Sequence, residues 1–381
     1  MDKHYQDMTS WRHYIHQHPE LGFQEVNTAN KVACLLQSFG IETHVGIGRT
    51  GVVGVIKKGN SSRAIGLRAD MDALPIQEKN DHAYKSQRDG IFHGCGHDGH
   101  TAMLLGAAKF LAEEGKFNGI VYVIFQPSEE NGLGALAMIE DGLFDRFPMD
   151  AIYGMHNMPG IPIGHFATRV GQMMTFEDNF TITITGKGGH ASMPNHTIDP
   201  LVIGAEIVMA LQTIVSRVVG PEEWGVVSVT EFQTDGARNI IPSTVTLKGD
   251  CRGLDPKVQA RIETRMRQIV DGICLSHGAT AQVEYSQEFI VLVNSENEVN
   301  NAVRAAINTV GADKVEGHCT TCSCSEDFAQ FLHHIPGCFI LIGNGDGETD
   351  MPLHNPQYDY KDENLTIGSR YWANLVQENL Q

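Results

Sequence analysis

Two different orders of helices and strands follow one another along this 381-residue chain, and this change of order restricts the folds it can adopt. Over about residues 25–157, mainly apolar strands alternate with amphipathic helices. The strands expected at 51–59 and 119–126 are continuous apolar runs, which are typical of a sheet covered on both faces. This part of the chain therefore predicts an α/β domain.

The order changes over residues 176–288, which predict the elements β-α-β-β-α-β. Their first strand contains FTITITGKGG, which alternates with a period of two, as a strand with one solvated face does. The order is that of a ferredoxin-like unit. The first pattern then resumes, with helices expected from Glu298 and from Glu363. We therefore predict an inserted unit at 176–288 between the two parts, 1–175 and 289–381, of a discontinuous domain.

The composition argues against several classes of partner. The formal net charge is −18 and no Lys/Arg-rich run is present, so neither nucleic acid nor a membrane surface is an expected partner. The first residues lack the apolar core of a signal peptide, and no apolar run approaches the ~20 residues of a membrane span. Eight scattered cysteines do not resemble a disulfide framework. We expect a cytoplasmic protein.

A glycine-rich segment, GIGRTG at residues 46–51, satisfies the G-x-G-x-x-G pattern of dinucleotide-binding folds. That pattern binds pyrophosphate when a strand precedes it and a helix follows it. Here an apolar strand follows, so we interpret the segment as a turn.

Residues 93–104, HGCGHDGHTAML, concentrate metal-binding side chains just before a predicted helix. Cys95 and His97 flank one glycine, and a thiolate with an imidazole suits zinc and neighbouring transition metals. Alone, the pair fits equally well a buried cysteine beside a helix-capping histidine.

Three further segments place His and Glu side chains where predicted strands end. QPSEENG puts Glu129 and Glu130 directly after a strand, where one carboxylate could bind a metal and the other accept a proton from water. His156 ends the next strand, and His354 lies in a proline-flanked loop after a late strand. Each alone fits a solvated loop. Together they favour one metal site, because ligands bind at the carboxyl edge of such sheets.

Longer motifs extend this pattern over almost the whole chain. In order, they are HPELGFQE, IGLRADMDALPIQE, HGCGHDGHTAMLLGAA, FQPSEENGLGALAMIEDGLF, GMHNMP, GKGGHASMP, NIIP, SEDF and MPLHNPQYD. With these motifs the chain resembles the M20 metallopeptidase family, in particular its amidohydrolase branch of hippurate, N-acyl-amino-acid and auxin-conjugate hydrolases. The resemblance implies an α/β, mixed-sheet, zinc-peptidase-like catalytic domain with an inserted ferredoxin-like lid.

The resemblance also implies one or two divalent metal ions per subunit, Zn²⁺, Mn²⁺ or Co²⁺. Glu129 would be the general base for the attacking water, and Asp72 and Asp98 would orient ligand imidazoles. His93 and His100 are interpreted as helix-end or packing groups. Carried over by motif, the metal ligands are Cys95, His97, Glu130, His156 and His354.

For the inserted unit, the resemblance implies three substrate-binding residues. His190 would reach the scissile carbonyl, in some relatives from a neighbouring subunit, while Asn239 and Arg252 would bind a substrate carboxylate. The expected reaction is cleavage of N-acyl amino acids, such as N-benzoyl or N-acetyl conjugates, to a carboxylic acid and an amino acid. A homodimer or homotetramer through the lid is the expected assembly. The alternatives for these residues are a glycine-rich turn, a turn asparagine and a surface salt bridge.

Other functions stay open at this point. Within the family, they are N-acetyl-diaminopimelate deacetylase and aminopeptidase or dipeptidase activity. Outside it, Cys95 could be a nucleophile activated by His97, or the chain could be a non-catalytic binding homologue. A separate cysteine-rich segment, CTTCSC at 319–324, has no second pair at zinc-site spacing, so we assign it neither a metal nor a redox role.

Overall fold

The computed structural model describes residues 2–347 and 350–381, and the chain forms two compact units. The main unit contains the chain up to Met173, Val293–Thr320 and Glu326–Gln381. The inserted unit contains Met174–Leu292 and Thr321–Ser325. The domain boundaries predicted from the sequence, 1–175, 176–288 and 289–381, stay a prediction.

Helices and strands alternate along the chain in both units. In chain order, the strands are β1 Glu42–Ile47, β2 Gly51–Lys58, β3 Ala64–Asp70, β4 Gly119–Gln126, β5 Ala151–Met158, β6 Phe166–Ala167, β7 Gly171–Met174, β8 Phe176–Thr185, β9 Gly189–His190, β10 Gly225–Thr234, β11 Ile240–Ile241, β12 Thr244–Gly253, β13 Thr280–Phe289, β14 Leu292–Asn294, β15 Val315–Glu316 and β16 Gly337–Gly343. The α-helices are α1 Tyr5–Gln17, α2 Val26–Ser38, α3 His97–Glu113, α4 Gly134–Glu140, α5 Leu143–Arg146, α6 Pro200–Thr213, α7 Pro256–His277, α8 Glu296–Val310, α9 Ala329–Leu332 and α10 Asn364–Asn379.

A mixed eight-stranded sheet runs through the main unit in the order β1-β2-β4-β3-β5-β16-β6-β15. Within it, β4, β3, β5 and β16 are neighbours and parallel, so their carboxyl ends lie at one edge. Every residue of β3 and β16 is buried, since helices such as α3 and α10 pack on the sheet through residues such as Leu104 and Trp372. The predicted α/β class with a mixed sheet is confirmed.

The GIGRTG segment forms the turn that the sequence predicts. β1 and β2 are antiparallel neighbours, and Ile47 pairs with Gly51 across the connection. No helix starts at this segment, so it lacks the helix N-terminus that a dinucleotide site requires.

Two predicted helices are shorter than their patterns suggest. ALAMIEDGLF forms α4 and α5, separated at Gly142, whose φ of 80° lies in the left-handed region. In SEDFAQFL only α9 is helical, and the carboxylate of Glu326 accepts a hydrogen bond from the Phe328 backbone N–H at 3.0 Å. Local side-chain bonds of this kind compete with helix formation.

The inserted unit has the ferredoxin-like order of elements. Its antiparallel sheet has the order β10-β12-β8-β13. β8 alternates between buried residues such as Ile182 and more accessible ones such as Thr183, as the sequence pattern predicts. The buried residues pack against α6 and α7, including Ile207 and Ile262.

One helix of the inserted unit departs from the expectation that no apolar segment approaches membrane length. Pro200–Val218, which is α6 and its π-helical extension, is long and apolar enough to span a bilayer, judged by length and composition alone. Ile203, Ile207 and Leu211 of this helix are buried in the core of the unit. A single such helix is weak evidence for a membrane protein.

Candidate active site

The loop between β3 and α3 positions the first candidate ligands. Cys95 is buried, and α3 begins at His97, which is fully buried. Gly96 between them has a φ of 93°, and a Cβ there would lie 2.3 Å from Oδ1 of Asn157. Only glycine therefore fits this turn, which directs its two flanking side chains to one place.

The structure brings together all five residues predicted as metal ligands. Sγ of Cys95 lies 3.3 Å from Nε2 of His156. Oε1 of Glu130 lies 3.8 Å from Nε2 of His97, and its Oε2 lies 3.6 Å from Nε2 of His354. Donor atoms of Cys95, His97 and His156 all lie within 4.8 Å of one another, as do those of Cys95, Glu130 and His354.

The hydrogen bonds of the two buried imidazoles leave one ring nitrogen of each directed at the cluster. Nδ1 of His156 donates to the backbone carbonyl of Asn157 at 2.6 Å, so Nε2 presents a lone pair. Nδ1 of His97 faces a carboxylate oxygen of Asp72 at 3.3 Å, and its Nε2 has no hydrogen-bond partner among the described residues. The same holds for the buried Oε1 of Glu130. Buried ligand atoms that lack a hydrogen-bond partner, grouped with a thiol, fit a pair of divalent cations.

His354 reaches the cluster from a strained loop. Its φ of 64° is in the left-handed region, which is unusual for a residue with a Cβ. The loop is held in place by its own backbone, because the N–H of His354 donates to the carbonyl of Gly94 at 2.9 Å. That bond connects the last candidate ligand in the chain to the segment carrying the first.

Asp72, for which the resemblance implies an orienting role, contacts two parts of the cluster. One carboxylate oxygen faces His97, and the other accepts the backbone N–H of Glu130 at 3.0 Å. One carboxylate thus holds an imidazole and a backbone segment that carry candidate ligands from different loops.

Asp98 has different partners from those predicted. In the described part of the chain it contacts no ligand imidazole. It instead lies 2.9 Å from Nδ1 of His16 and accepts from Arg12 at 3.2 Å. Burial alone would raise the pKa of Asp98, but the hydrogen bond from His16 and the charges of His16 and Arg12 together outweigh burial and hold the pKa well below its usual range. Asp98 therefore anchors the first turn of α3 to α1.

The two histidines interpreted as packing groups differ from each other. His93 is buried with neither ring nitrogen hydrogen-bonded within the described residues, and burial lowers its pKa to about 4. His100 instead lies 2.6 Å from a carboxylate oxygen of Asp70 and 2.6 Å from Oδ1 of Asn157. His100 thus links Asp70 and Asn157 in a run of hydrogen-bonded side chains beside the candidate metal ligands.

The predicted base, Glu129, lies beside the candidate ligands. It is 6 % exposed, and its Oε2 is 4.0 Å from Nε2 of His97. Burial, together with the charges of Glu326 and Glu130, raises the pKa of Glu129 well above its usual range. The turn before it is strained, with Ser128 at a φ of 56° and its N–H donating to Glu25. This turn directs Glu129 inward.

A buried ionic network was not anticipated from the sequence. Arg68 on β3 is fully buried and binds Asp70 at 2.7 Å, Glu326 at 2.9 Å and Asp327 at 3.2 Å. Asp327 also accepts from the side chain of Gln126, at the end of β4. The available signal was the charged Arg68 inside an apolar strand, since buried charges need partners.

In the inserted unit, His190 and Asn239 lie on neighbouring backbone segments. β9 pairs with β11, and the N–H of Ala191 donates to the carbonyl of Asn239 at 3.1 Å. His190 is exposed, and its Nδ1 accepts the backbone N–H of Ser192 at 3.1 Å. A neutral His190 therefore carries its proton on Nε2, where it can donate to an oxygen.

Arg252 lies elsewhere in the inserted unit. Its Nε donates to Asp250, its Nη2 binds Glu177 at 2.8 Å, and its Nη1 donates to Ser325. Among the described residues, these bonds leave two of the five guanidinium N–H groups for another acceptor.

The three predicted substrate-binding residues do not converge within one inserted unit. β12 runs from Thr244, near His190 and Asn239, to Arg252, a span of about 26 Å at the usual rise per residue. One copy of this unit cannot bring Arg252 and Asn239 to the same carboxylate.

The chain is similar to known proteins over almost its whole length. Residues 66–378 match the family described as Peptidase family M20/M25/M40. The chain belongs to the M20 peptidase family. It is 41% identical to hippurate hydrolase of Campylobacter jejuni over 97% of this chain and 96% of that protein. It is 36% identical to an N-acetylcysteine deacetylase of Bacillus subtilis, covering 97% and 96% of the two chains.

A solved structure is also closely similar. A Bacillus subtilis protein described as a dinuclear metal binding peptidase from the M20 family superposes with a TM-score of 0.84. It is 32% identical, and the match covers 99% of this chain and 98% of that one. This M20 member is a metal-dependent amidohydrolase that binds divalent metal ions.

The contacts of Asp72 generate a prediction about metal affinity. Asp72→Asn should weaken divalent-metal binding about 10- to 100-fold, because one side chain orients both His97 and the Glu130 backbone. The measurement is competition with a chromophoric chelator. Asp81→Asn, which changes an exposed aspartate, is the control and should bind metal as the unaltered protein does. Equal affinity in both variants would contradict the role of Asp72.

Proposed function

We propose that this M20 member hydrolyses N-acyl amino acids to a carboxylic acid and a free amino acid. N-benzoyl and N-acetyl amino acids are the candidate substrates. The observation that carries the proposal is the buried Glu129 carboxylate, 4.0 Å from a ring nitrogen of His97 within a five-residue donor cluster. The names of the relatives, a hippurate hydrolase and an N-acetylcysteine deacetylase, support the same class of substrate.

The proposed mechanism assigns proton transfer to Glu129. Cys95, His97, Glu130, His156 and His354 would hold the divalent ions, which supply Lewis-acid activation of water when bound. Glu129 accepts the proton of the attacking water and delivers it to the departing amine. Burial beside Glu326 and Glu130 increases its affinity for that proton.

His190 would stabilise the negative charge that develops on the carbonyl oxygen. Because Ser192 donates to Nδ1, Nε2–H is the group available to that oxygen. A donor that is already oriented before reaction stabilises the developing charge without reorganisation.

The nucleophilic-cysteine alternative is not favoured. Burial and the nearby Glu130 carboxylate raise the pKa of Cys95 well above its usual range, whereas a nucleophilic cysteine needs a lowered pKa. A non-catalytic homologue is equally disfavoured, because it would have no need of a buried base beside candidate metal ligands.

The central test is Glu129→Gln, which keeps the size of the side chain and removes the base. Turnover of N-benzoylglycine should fall about 10²- to 10⁴-fold while bound metal and melting temperature stay unchanged. Glu130→Gln is the matched comparison and should lose bound metal as well. A nearly unaltered rate in Glu129→Gln would overturn the proposed mechanism.

Arg252 is proposed to bind the substrate carboxylate through its two remaining N–H groups. Arg252→Met should raise KM for N-benzoylglycine about 10- to 100-fold, the loss expected for a hydrogen bond to a charged group. KM for N-benzoylglycinamide, which lacks the carboxylate, should change much less. Arg261→Met, which removes an arginine paired with Glu223 in the same unit, is the control. Equal effects on both substrates would exclude carboxylate recognition by Arg252.

We further propose that the inserted unit pairs two copies of the chain. α6 exposes Leu201, Val202 and Met209, and Gly204 on the same helix faces Phe232 of the edge strand β10. An apolar helix beside an open sheet edge is a surface that a second copy can cover. Pairing would also let His190 and Asn239 of one copy act with Arg252 of the other, since a single unit keeps them apart.

The test of pairing is Met209→Asp, which places a charge on a side chain that is 72 % exposed. It should convert the dimer to a monomer in sedimentation velocity and lower activity. Leu275→Asp, at an 81 % exposed position on α7 of the same unit, is the control and should stay dimeric. A monomeric unaltered protein would contradict this assembly.

The identity of the metal and the location of the protein are proposed from donor chemistry and from composition. The thiol and imidazole donors favour zinc, while the carboxylates also accommodate manganese or cobalt. A cytoplasmic location follows from the scattered cysteines.

A further inference from the structure

The cysteine-rich segment CTTCSC is not part of the proposed mechanism, yet its last two cysteines are close in space. Cys322 and Cys324 flank a bend at Ser323, and the backbone N–H of Cys324 donates to Sγ of Cys322 at 3.4 Å. Cys324 is exposed and Cys322 is partly so. Hydrogen bonding by the Cys324 side chain and backbone outweighs burial and lowers the pKa of the Cys322 thiol to about 7.

The buried cysteines have the opposite character. Burial raises the pKa of Cys251 and Cys338 to about 12, so neither is a reactive thiol at neutral pH. Beside Cys322 is a cavity of about 120 Å³, lined also by Thr175, Trp224 and Leu254. Since a water molecule occupies about 30 Å³ in the liquid, a small polar oxidant fits there.

The segment also connects with the proposed substrate-binding arginine. Thr175 holds it through the carbonyl of Cys324, which accepts the Thr175 backbone N–H at 3.0 Å. The next residue, Ser325, accepts from Arg252 and donates to Glu177 at 3.0 Å. A change in the backbone conformation of Cys324 would therefore shift Ser325, which is a hydrogen-bond partner of Arg252.

We propose that Cys322 and Cys324 are a peroxide-reactive dithiol whose oxidation to a disulfide weakens substrate binding. The Cys322 thiolate attacks hydrogen peroxide, so that an S–O bond forms, the O–O bond breaks, and hydroxide leaves as water after protonation. The Cys324 thiol then attacks that sulfur, forming the S–S bond and releasing a second water. The two thiols lose two electrons and the peroxide gains them.

Closure of this ring changes the geometry around Ser325. Two cysteines separated by one residue form a small, strained disulfide, and such exposed, strained disulfides are easily reduced again. The bond between Ser325 and Arg252 is the contact next to that ring, so we expect it to be altered. This consequence for binding rests on the proposed function of Arg252, whereas formation of the disulfide does not.

The test uses the metal-loaded full chain treated with a small excess of hydrogen peroxide and then alkylated. Peptide mass spectrometry should find a Cys322–Cys324 link with the loss of two hydrogens. KM for N-benzoylglycine should rise about tenfold, as expected for a weakened charged hydrogen bond, and dithiothreitol should restore it. Cys322→Ser and Cys324→Ser should both resist peroxide, while Cys34→Ser, at an exposed single cysteine on α2, should remain sensitive.

Several results would overturn the proposal. Failure to find the Cys322–Cys324 link would exclude the dithiol, whatever the enzyme hydrolyses. Unchanged KM in the linked protein would exclude the effect on binding. Equal loss of activity in Cys322→Ser would place the damage elsewhere, for example at Cys95. If N-benzoylglycine is not a substrate at all, the proposed function fails, while the mass spectra still decide whether the disulfide forms.

Discussion

Mutual repulsion between buried carboxylates is the constraint on which the main unit depends. Asp70, Asp72 and Glu129 are buried at the edge of the sheet where β3 and β4 end, and the partly buried Glu130 lies beside them, so water screens these charges little. Uncompensated, such charges cost several kcal/mol each in a folded protein. The unit compensates with the imidazoles, with Arg68, and with donor atoms arranged for divalent cations.

This compensation explains why distant segments meet at one place. Arg68 binds Glu326 and Asp327, which lie more than half the length of the chain further on in the sequence. Asp98 is neutralised by Arg12 and His16 of the first helix. The cluster is therefore built on a scaffold of buried ion pairs, and removing either partner of such a pair would leave a charge unsatisfied.

The sequence was informative where chemistry and chain geometry coincide. The five candidate metal ligands were carried over from the M20 motifs, and the strand ends only favoured a single site, because the ends of parallel strands meet at one edge. The partners of Asp98 could not be found in this way, because they depend on how α1 packs against α3. Likewise the pattern of SEDFAQFL favours a helix, but the carboxylates of Glu326 and Asp327 bind elsewhere and shorten it.

By itself, the sequence determined the α/β class, the β-α-β-β-α-β insertion and the motifs of the M20 family, because periodicity and residue type are local properties of the chain. Tertiary structure alone decided the charge partners, the strained turns at Ser128 and His354, and the separation of Arg252 from His190 along β12. These features depend on the packing of segments far apart in the chain, and no local pattern encodes the distance between them.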